Sequence, residues 1–432
     1  MRRQARRVAT IAALVTLGAL LLAAIEGPAA DEFRQRRLRI ASERAEGALV
    51  LFGVADASGR VDPGPLVQES NFFYLTGCRE PGAALLIEPA SDGRPYRETL
   101  FLERVSQADQ EWNGVRIDPG DKTAPAQTGF DQVASSDRLA ERLRSAAKRY
   151  GRLYTLLGEE ESSKPAPPDA RTRLERLGVE TEPYNLRSTL ARLRMVKSAS
   201  EVRAIERAVA ITVDAHRASW AALRPGLTEY QLFAEMARVM IFGGALRPAY
   251  APIVASGPNA VTLHYVELGR TIGAGELVLM DVGAEYEGYA ADLTRTVPAD
   301  GRFTARQREI YGWVLEAQRQ AIAAARPGAR LTGPGSLTEI AEGVFESKQR
   351  GLSKRFRHSI GHFVGLDVHD PGALTTALEP GMVITVEPGL YLPDEDLGVR
   401  IEDMLLITED GARQLSEALP SQADALERAL AR

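Results

Sequence analysis

Apolar positions change their spacing along this chain, and the changes mark its elements. Ala83 to Ile87 and Glu98 to Leu102 are short apolar runs read as strands, whereas Ser136 to Tyr150 has helical spacing with basic residues. Together they give an α/β reading of the first part. The polar, proline-rich stretch from Gly158 to Asp169 predicts an exposed connection late in that part. Further on, Ser198 with Glu201 three positions later is a capping box that opens a long helix toward Leu223, ended by Arg224-Pro225-Gly226. Thr228 opens a second helix, and a third over about Thr304 to Ala325 stops at Arg326-Pro327-Gly328. Helices alternating with hairpin-like segments predict an α+β domain from about residue 187 to the end.

Within that domain the strands carry acids. Leu277 to Val282 is apolar except for Asp281, and Tyr289 to Val297 contains Asp292. With Glu287-Gly288 as a two-residue turn, Asp292 lies opposite Gly283, and Asp281, Gly283, Asp292 and Thr294 share one face. The two carboxylates are then diagonal neighbours about 7–8 Å apart at the backbone, within reach of a metal pair about 3.5–4 Å apart. Glu387 ends the strand Met382 to Val386, and Glu402 separates Val399-Arg-Ile401 from Met404 to Ile407. Unpaired carboxylates buried in such strands cost on the order of several kcal/mol each.

Four of the five histidines, His264, His358, His362 and His369, fall in the same region, three of them between Arg357 and Asp370 among closely spaced glycines. Any one acid reads as a surface charge and any one histidine as a core residue. One imidazole and four acids converging among apolar residues read as the ligand set of a two-metal hydrolase. Without cations, unit charges about 4 Å apart repel by about 4 kcal/mol per pair at an effective dielectric of about 20. Oxygen-rich ligation with one imidazole favours Mn²⁺, with Co²⁺ or Zn²⁺ as substitutes.

Composition narrows the setting. At 432 residues, 44% hydrophobic and 26% charged, the chain is long enough for two cores, and a net charge of −5 without a basic stripe excludes nucleic acid as an expected partner. Residues 1 to 30 stand apart: Arg2, Arg3, Arg6 and Arg7 precede an uncharged run from Val8 to Ile25 and the small residues Gly27 and Ala29. They read as an export signal cut after Ala29, or as an uncleaved N-terminal membrane anchor. Either reading puts the folded part outside the cytoplasm, periplasmic or extracellular. Cys78 is the only cysteine, so no intrachain disulfide forms, and its apolar setting speaks against a catalytic thiol.

Leu263-His-Tyr265, Leu279-Met-Asp-Val-Gly283, Tyr286-Glu-Gly-Tyr-Ala-Ala-Asp292-Leu-Thr-Arg-Thr296, Gly361-His-Phe-Val-Gly-Leu-Asp-Val-His-Asp370, Val386-Glu-Pro-Gly-Leu-Tyr391 and Val399-Arg-Ile-Glu-Asp403 together resemble the pita-bread metallopeptidases, in their aminopeptidase P and prolidase branch. Gln68 to Gly77 with Glu80-Pro81 resembles the α/β N-terminal domain that accompanies aminopeptidase P. The resemblance implies a signal or anchor over 1–30, an N-terminal domain over 31–186 and a pita-bread catalytic domain over 187–432. It implies Asp281, Asp292, His362, Glu387 and Glu402 as ligands of two divalent metal ions, with Asp292 and Glu402 bridging.

By the same resemblance His264 and His369 flank the scissile amide, Glu387 handles the proton of a metal-bridging hydroxide, and Tyr250, His358 and Arg400 line the proline pocket and substrate end. The implied activity is Xaa-Pro aminopeptidase, on peptides with proline at the second position, in a homo-oligomer, dimer or tetramer. Two departures, Val266-Glu-Leu-Gly269 after Tyr265 and a short Glu387–Glu402 connection like that of certain prolidases, leave an Xaa-Pro dipeptidase as the alternative. A non-catalytic peptide-binding relative is the third reading, opposed by the filled ligand positions.

Overall fold

The computed structural model describes residues 29–54, 67–91, 93–158 and 169–431. The basic and apolar N-terminal segment and most of the proline-rich connection therefore lie outside the described residues. Among the described residues no helix is long and apolar enough to cross a membrane.

The N-terminal part is a six-stranded sheet of β1 (Ala48–Phe52), β2 (Ala84–Ser91), β3 (Arg94–Leu102), β4 (Val133–Ser135), β5 (Leu153–Thr155) and β6 (Tyr184–Asn185), in the order β4-β3-β2-β1-β5-β6. Its period-two alternation sends Val50, Leu86 and Phe101 to one face, against Leu139, Leu143 and Ala146 of a helix over Leu139–Tyr150. Leu49, Leu51, Leu85 and Leu100 point to the other face, into a core that runs on into the C-terminal part. On that face lie α1 (Ala30–Glu43) and α2 (Ser70–Thr76), and Arg37 of α1 reaches Glu98 of β3 through a buried ion pair at 2.6 Å.

After α3 (Arg187–Met195) come the expected helices, α4 (Ala199–Ala222) and α5 (Glu229–Phe242), with α6 (Ala305–Ala324) further along. Ser198 and Glu201 form the capping box of α4, Thr304 and Gln307 that of α6, and Gln231 accepts the Thr228 N–H at the start of α5. A further helix, α7 (Leu337–Lys348), packs on α6 and was not singled out by the apolar pattern. The strands are β7 (Ile253–Ser256), β8 (Leu277–Asp281), β9 (Glu285–Tyr286), β10 (Tyr289–Ala290), β11 (Thr294–Pro298), β12 (Val383–Val386), β13 (Gly389–Leu392), β14 (Leu397–Arg400), β15 (Asp403–Ile407) and β16 (Ala412–Gln414). They form sheets β11-β8-β7 and β12-β15-β16 and hairpins β9-β10 and β13-β14.

Arg194 of α3 joins the two parts. Its buried guanidinium bonds Asn71 of α2 at 2.8 Å and Asp367 and Asp370 at 2.6 Å each, while Ser70 donates to Asp367 at 2.8 Å and Lys197 to Asp370 at 3.0 Å. Buried charges persist when each finds such partners. These are the residues around His369, so the N-terminal part helps hold the histidine-rich loop.

Candidate active site

The hairpin carrying Asp281 and Asp292 has the register expected from its turn. Tyr286 pairs with Tyr289 and Thr294 with Asp281, and Glu287 and Gly288 both have positive φ, 51° and 91°, as a type I′ turn requires. The expected strand Tyr289 to Val297 is not continuous, however. It splits into β10 and β11, and Ala291 to Leu293 leave the regular ladder. The cause is close approach: a Cβ on Gly283 would lie 1.7 Å from the Ala291 carbonyl oxygen, so only glycine lets the strands meet there. The distortion lies beside Asp292.

Asp281 and Asp292 both receive the Tyr250 hydroxyl, at 2.6 and 2.5 Å. Asp281 also accepts from the Arg400 guanidinium at 2.5 Å, which overrides the effect of burial and holds this carboxyl below its ordinary range. Glu402, between β14 and β15, is buried and accepts from Thr294 Oγ1 at 2.6 Å, and Glu387 follows β12. Gly361 lets the histidine loop press on β12, since a Cβ there would stand 2.1 Å from the Thr385 carbonyl oxygen. Thr385 then accepts the His362 N–H at 3.1 Å and donates to Glu387 at 3.2 Å.

His362 Nδ1 faces the Phe363 carbonyl oxygen at 3.1 Å, leaving Nε2 turned to Asp292 and Glu387, 3.4 Å from an oxygen of each. This is the orientation of a metal-ligating imidazole, with its other nitrogen fixed by a carbonyl. Donor atoms of Asp292, His362 and Glu402 all lie within 4.8 Å of one another. Burial, followed by mutual repulsion, raises the carboxyls of Glu402 and Asp292, and burial raises that of Glu387 against the pull of His362 and Arg400. Burial opposes charge on His362 too, but Asp292 and Glu387 outweigh it and lift the imidazole to about 9. Carboxylate oxygens and one oriented imidazole, packed until they repel, fit divalent cations in both donor chemistry and charge.

Of the other expected residues, Tyr250 and Arg400 touch the acids of this centre and His369 its imidazole. The His369 ring stands edge-on to His362, centroids 4.4 Å apart, and His264 is exposed, within electrostatic reach of His358. His358 Nδ1 faces the Ser359 carbonyl at 2.9 Å and Nε2 the Tyr391 hydroxyl at 2.8 Å; burial, helped by Arg400, lowers it to about 3 and keeps it neutral. Arg400 donates to Tyr391 at 2.9 Å as well as to Asp281. Tyr250 and Arg400, expected along the substrate pocket, thus spend their polar ends on the acids. Sequence reasoning named Tyr391 within a motif but gave neither it nor Thr385 a role. Tyr391 was detectable only as a diagonal neighbour of Arg400, once Gly389 is known to pair with Arg400. Cys78 stays a thiol, pushed up to about 12 by burial.

Comparison with known proteins agrees with this geometry. Residues 203–409 match the metallopeptidase family M24 and residues 33–154 the aminopeptidase P N-terminal domain. The chain is 34% identical to a Xaa-Pro aminopeptidase of Haemophilus influenzae, over 91% of this chain and 95% of that one, and 32% identical to a Xaa-Pro aminopeptidase of Escherichia coli, over 92% and 97%. Its structure is similar to that of Escherichia coli aminopeptidase P with the inhibitor Pro-Leu, with a TM-score of 0.82 and 31% identity, over 94% of this chain and 98% of that one. With its acids and imidazole gathered behind an N-terminal domain of the aminopeptidase P type, the chain belongs to the M24 metallopeptidases, in the two-domain aminopeptidase P form.

Proposed function

We propose that this protein is a Xaa-Pro aminopeptidase that uses two divalent cations, Mn²⁺ first among them, held by Asp281, Asp292, His362, Glu387 and Glu402. The observation that carries the reading is the mutual approach of Asp292, His362 and Glu402 donor atoms within 4.8 Å, with Glu387 beside them. When bound, such cations polarise the carbonyl and bring water's pKa toward about 7. The remaining work belongs to the chain's own groups. Glu387, oriented by Thr385, takes the proton of the attacking water and passes it to the proline nitrogen as the bond breaks. His264 and His369 steady the oxyanion from two sides. Arg400 holds Asp281 in its ionised form, and burial with Arg400 keeps His358 neutral while Tyr391 orients it, so that the His358 ring serves as an apolar wall. An amide to proline has no N–H, so ring packing and carbonyl contacts must select it.

The relatives named Xaa-Pro aminopeptidase favour this reading over the dipeptidase. Hydrolysis of Xaa-Pro-Xaa tripeptides, with Xaa-Pro dipeptides cleaved poorly, is the expected result, along with bound metal after dialysis; a preference for the dipeptide would overturn it. We further infer export, supported by the basic and apolar composition of residues 1–30, and a homo-oligomer. Fractionation of expressing cells and sedimentation of the purified protein test these.

A further inference from the structure

Glu229, in the first turn of α5, is wholly buried and lies outside the acid and imidazole cluster. Five donors meet on its carboxylate. Oε1 accepts from the Ser256 N–H and Oγ at 2.8 Å each and from Asn259 Nδ2 at 3.0 Å; Oε2 accepts from the Tyr265 hydroxyl at 2.8 Å and the Arg270 N–H at 3.1 Å. An acid at this position normally complements the helix dipole. Here every donor comes from residues 256–270, the segment that carries His264. The backbone adds to the hold, the Glu229 and Tyr230 N–H groups donating to the carbonyls of Arg270 at 3.0 Å and Leu268 at 2.9 Å.

The far side of the segment is pinned as well. The Ala260 carbonyl oxygen sits where a Cβ on Gly398 of β14 would come within 1.9 Å, and Arg357 donates to the Val261 carbonyl at 2.5 Å. β14 ends in Arg400, so the segment is fixed between a buried carboxylate and a strand of the active site. We propose that Glu229 is a positioning residue: by accepting five hydrogen bonds it fixes residues 256–270 so that the His264 imidazole is held at the edge of the acid cluster. Only a carboxylate suits the place, because it accepts on both oxygens. A glutamine would turn an N–H₂ group toward two or three donors.

The inference rests on His264 meeting the substrate, and the test separates the two ideas. In the metal-loaded full chain, Glu229→Gln is expected to lower kcat about tenfold to a hundredfold, the cost of a displaced catalytic group, with metal content unchanged. Amide hydrogen exchange should quicken across 256–270. In a His264→Ala background the same substitution should change kcat by no more than about twofold, because the group it positions is gone. Tyr265→Phe, which removes a single donor, should act in the same direction with smaller effect and carries the test if Glu229→Gln does not fold. Equal losses of kcat in both backgrounds, or unchanged exchange in 256–270, would overturn the proposal. Undiminished turnover in His264→Ala alone would overturn the reading of His264, and the proposal with it.

Discussion

Replacing Glu402 by glutamine should leave the metal-free protein as stable as the parent or more so, while removing the stabilisation that divalent cations bring. Glu402 is 1% exposed, and its carboxylate accepts one hydrogen bond among the described residues, from Thr294. Burial, then Asp292, Glu387 and Asp281, raise its carboxyl well above the ordinary range, so without metal its protonated, neutral form is favoured. An amide of the same shape exchanges one neutral group for another. Ionising the acid there would instead cost about 4 kcal/mol for each carboxylate about 4 Å away. Cation at about a hundred times its Kd stabilises the parent by about 2.7 kcal/mol, and a hundredfold loss of affinity leaves only about 0.4 kcal/mol of this. The assay is thermal unfolding with chelator and with fixed Mn²⁺ between pH 5 and 8. The pH sign follows from the raised carboxyl: it contributes stability that is full below the unfolded pKa and lost as pH rises toward the folded one. Metal-free parent should therefore lose stability relative to Glu402→Gln as pH increases. A metal-free variant weaker by several kcal/mol, or one that keeps the whole cation-induced shift, would refute this reasoning.

Arg194→Met should cost about 3–5 kcal/mol in denaturant unfolding, because Asp367 and Asp370 lose a shared buried partner. Gly361→Ala, whose methyl group would meet the Thr385 carbonyl oxygen at 2.1 Å, should shift the histidine loop, visible as lost metal binding by calorimetry and a lower unfolding temperature. His216, wholly buried on α4 and facing the Leu293 carbonyl at 3.1 Å, is lowered from 6.5 to about 4 by burial first and Arg295 second. The unfolded chain takes up a proton there that the folded one refuses, so about 3 kcal/mol should be lost as pH falls from about 6.5 to 4. His216→Gln should flatten that slope in the same titration.

What the sequence reveals follows the range of the physics involved. The register of the Asp281 and Asp292 hairpin is local: a turn that needs two positive φ values, flanked by apolar strands, admits one alignment that keeps both acids on one face. The capping boxes of α4 and α6 are equally local. The break at Ala291 to Leu293 depends on how near two strands come at Gly283, which alternation cannot report. Arg194 draws together Asn71, Asp367 and Asp370, far apart in sequence and each an ordinary polar residue where it stands. Glu229 escaped for a related reason, since it fits the pattern of a helix start and only its donors disclose a second task. The acids drew attention in the sequence because charge next to apolar strands is locally anomalous.

The Arg194 junction also limits how this architecture can be recombined. Ser70 and Asn71 come from the first part of the chain, Asp367 and Asp370 from the last; a single guanidinium between them bonds Asn71, Asp367 and Asp370, while Ser70 donates to Asp367. A hybrid that took its first 186 residues from a relative would inherit half of a lock. Grafts between family members should therefore succeed when positions 70, 71, 194, 367 and 370 travel as one set, and give misassembled hybrids when they do not.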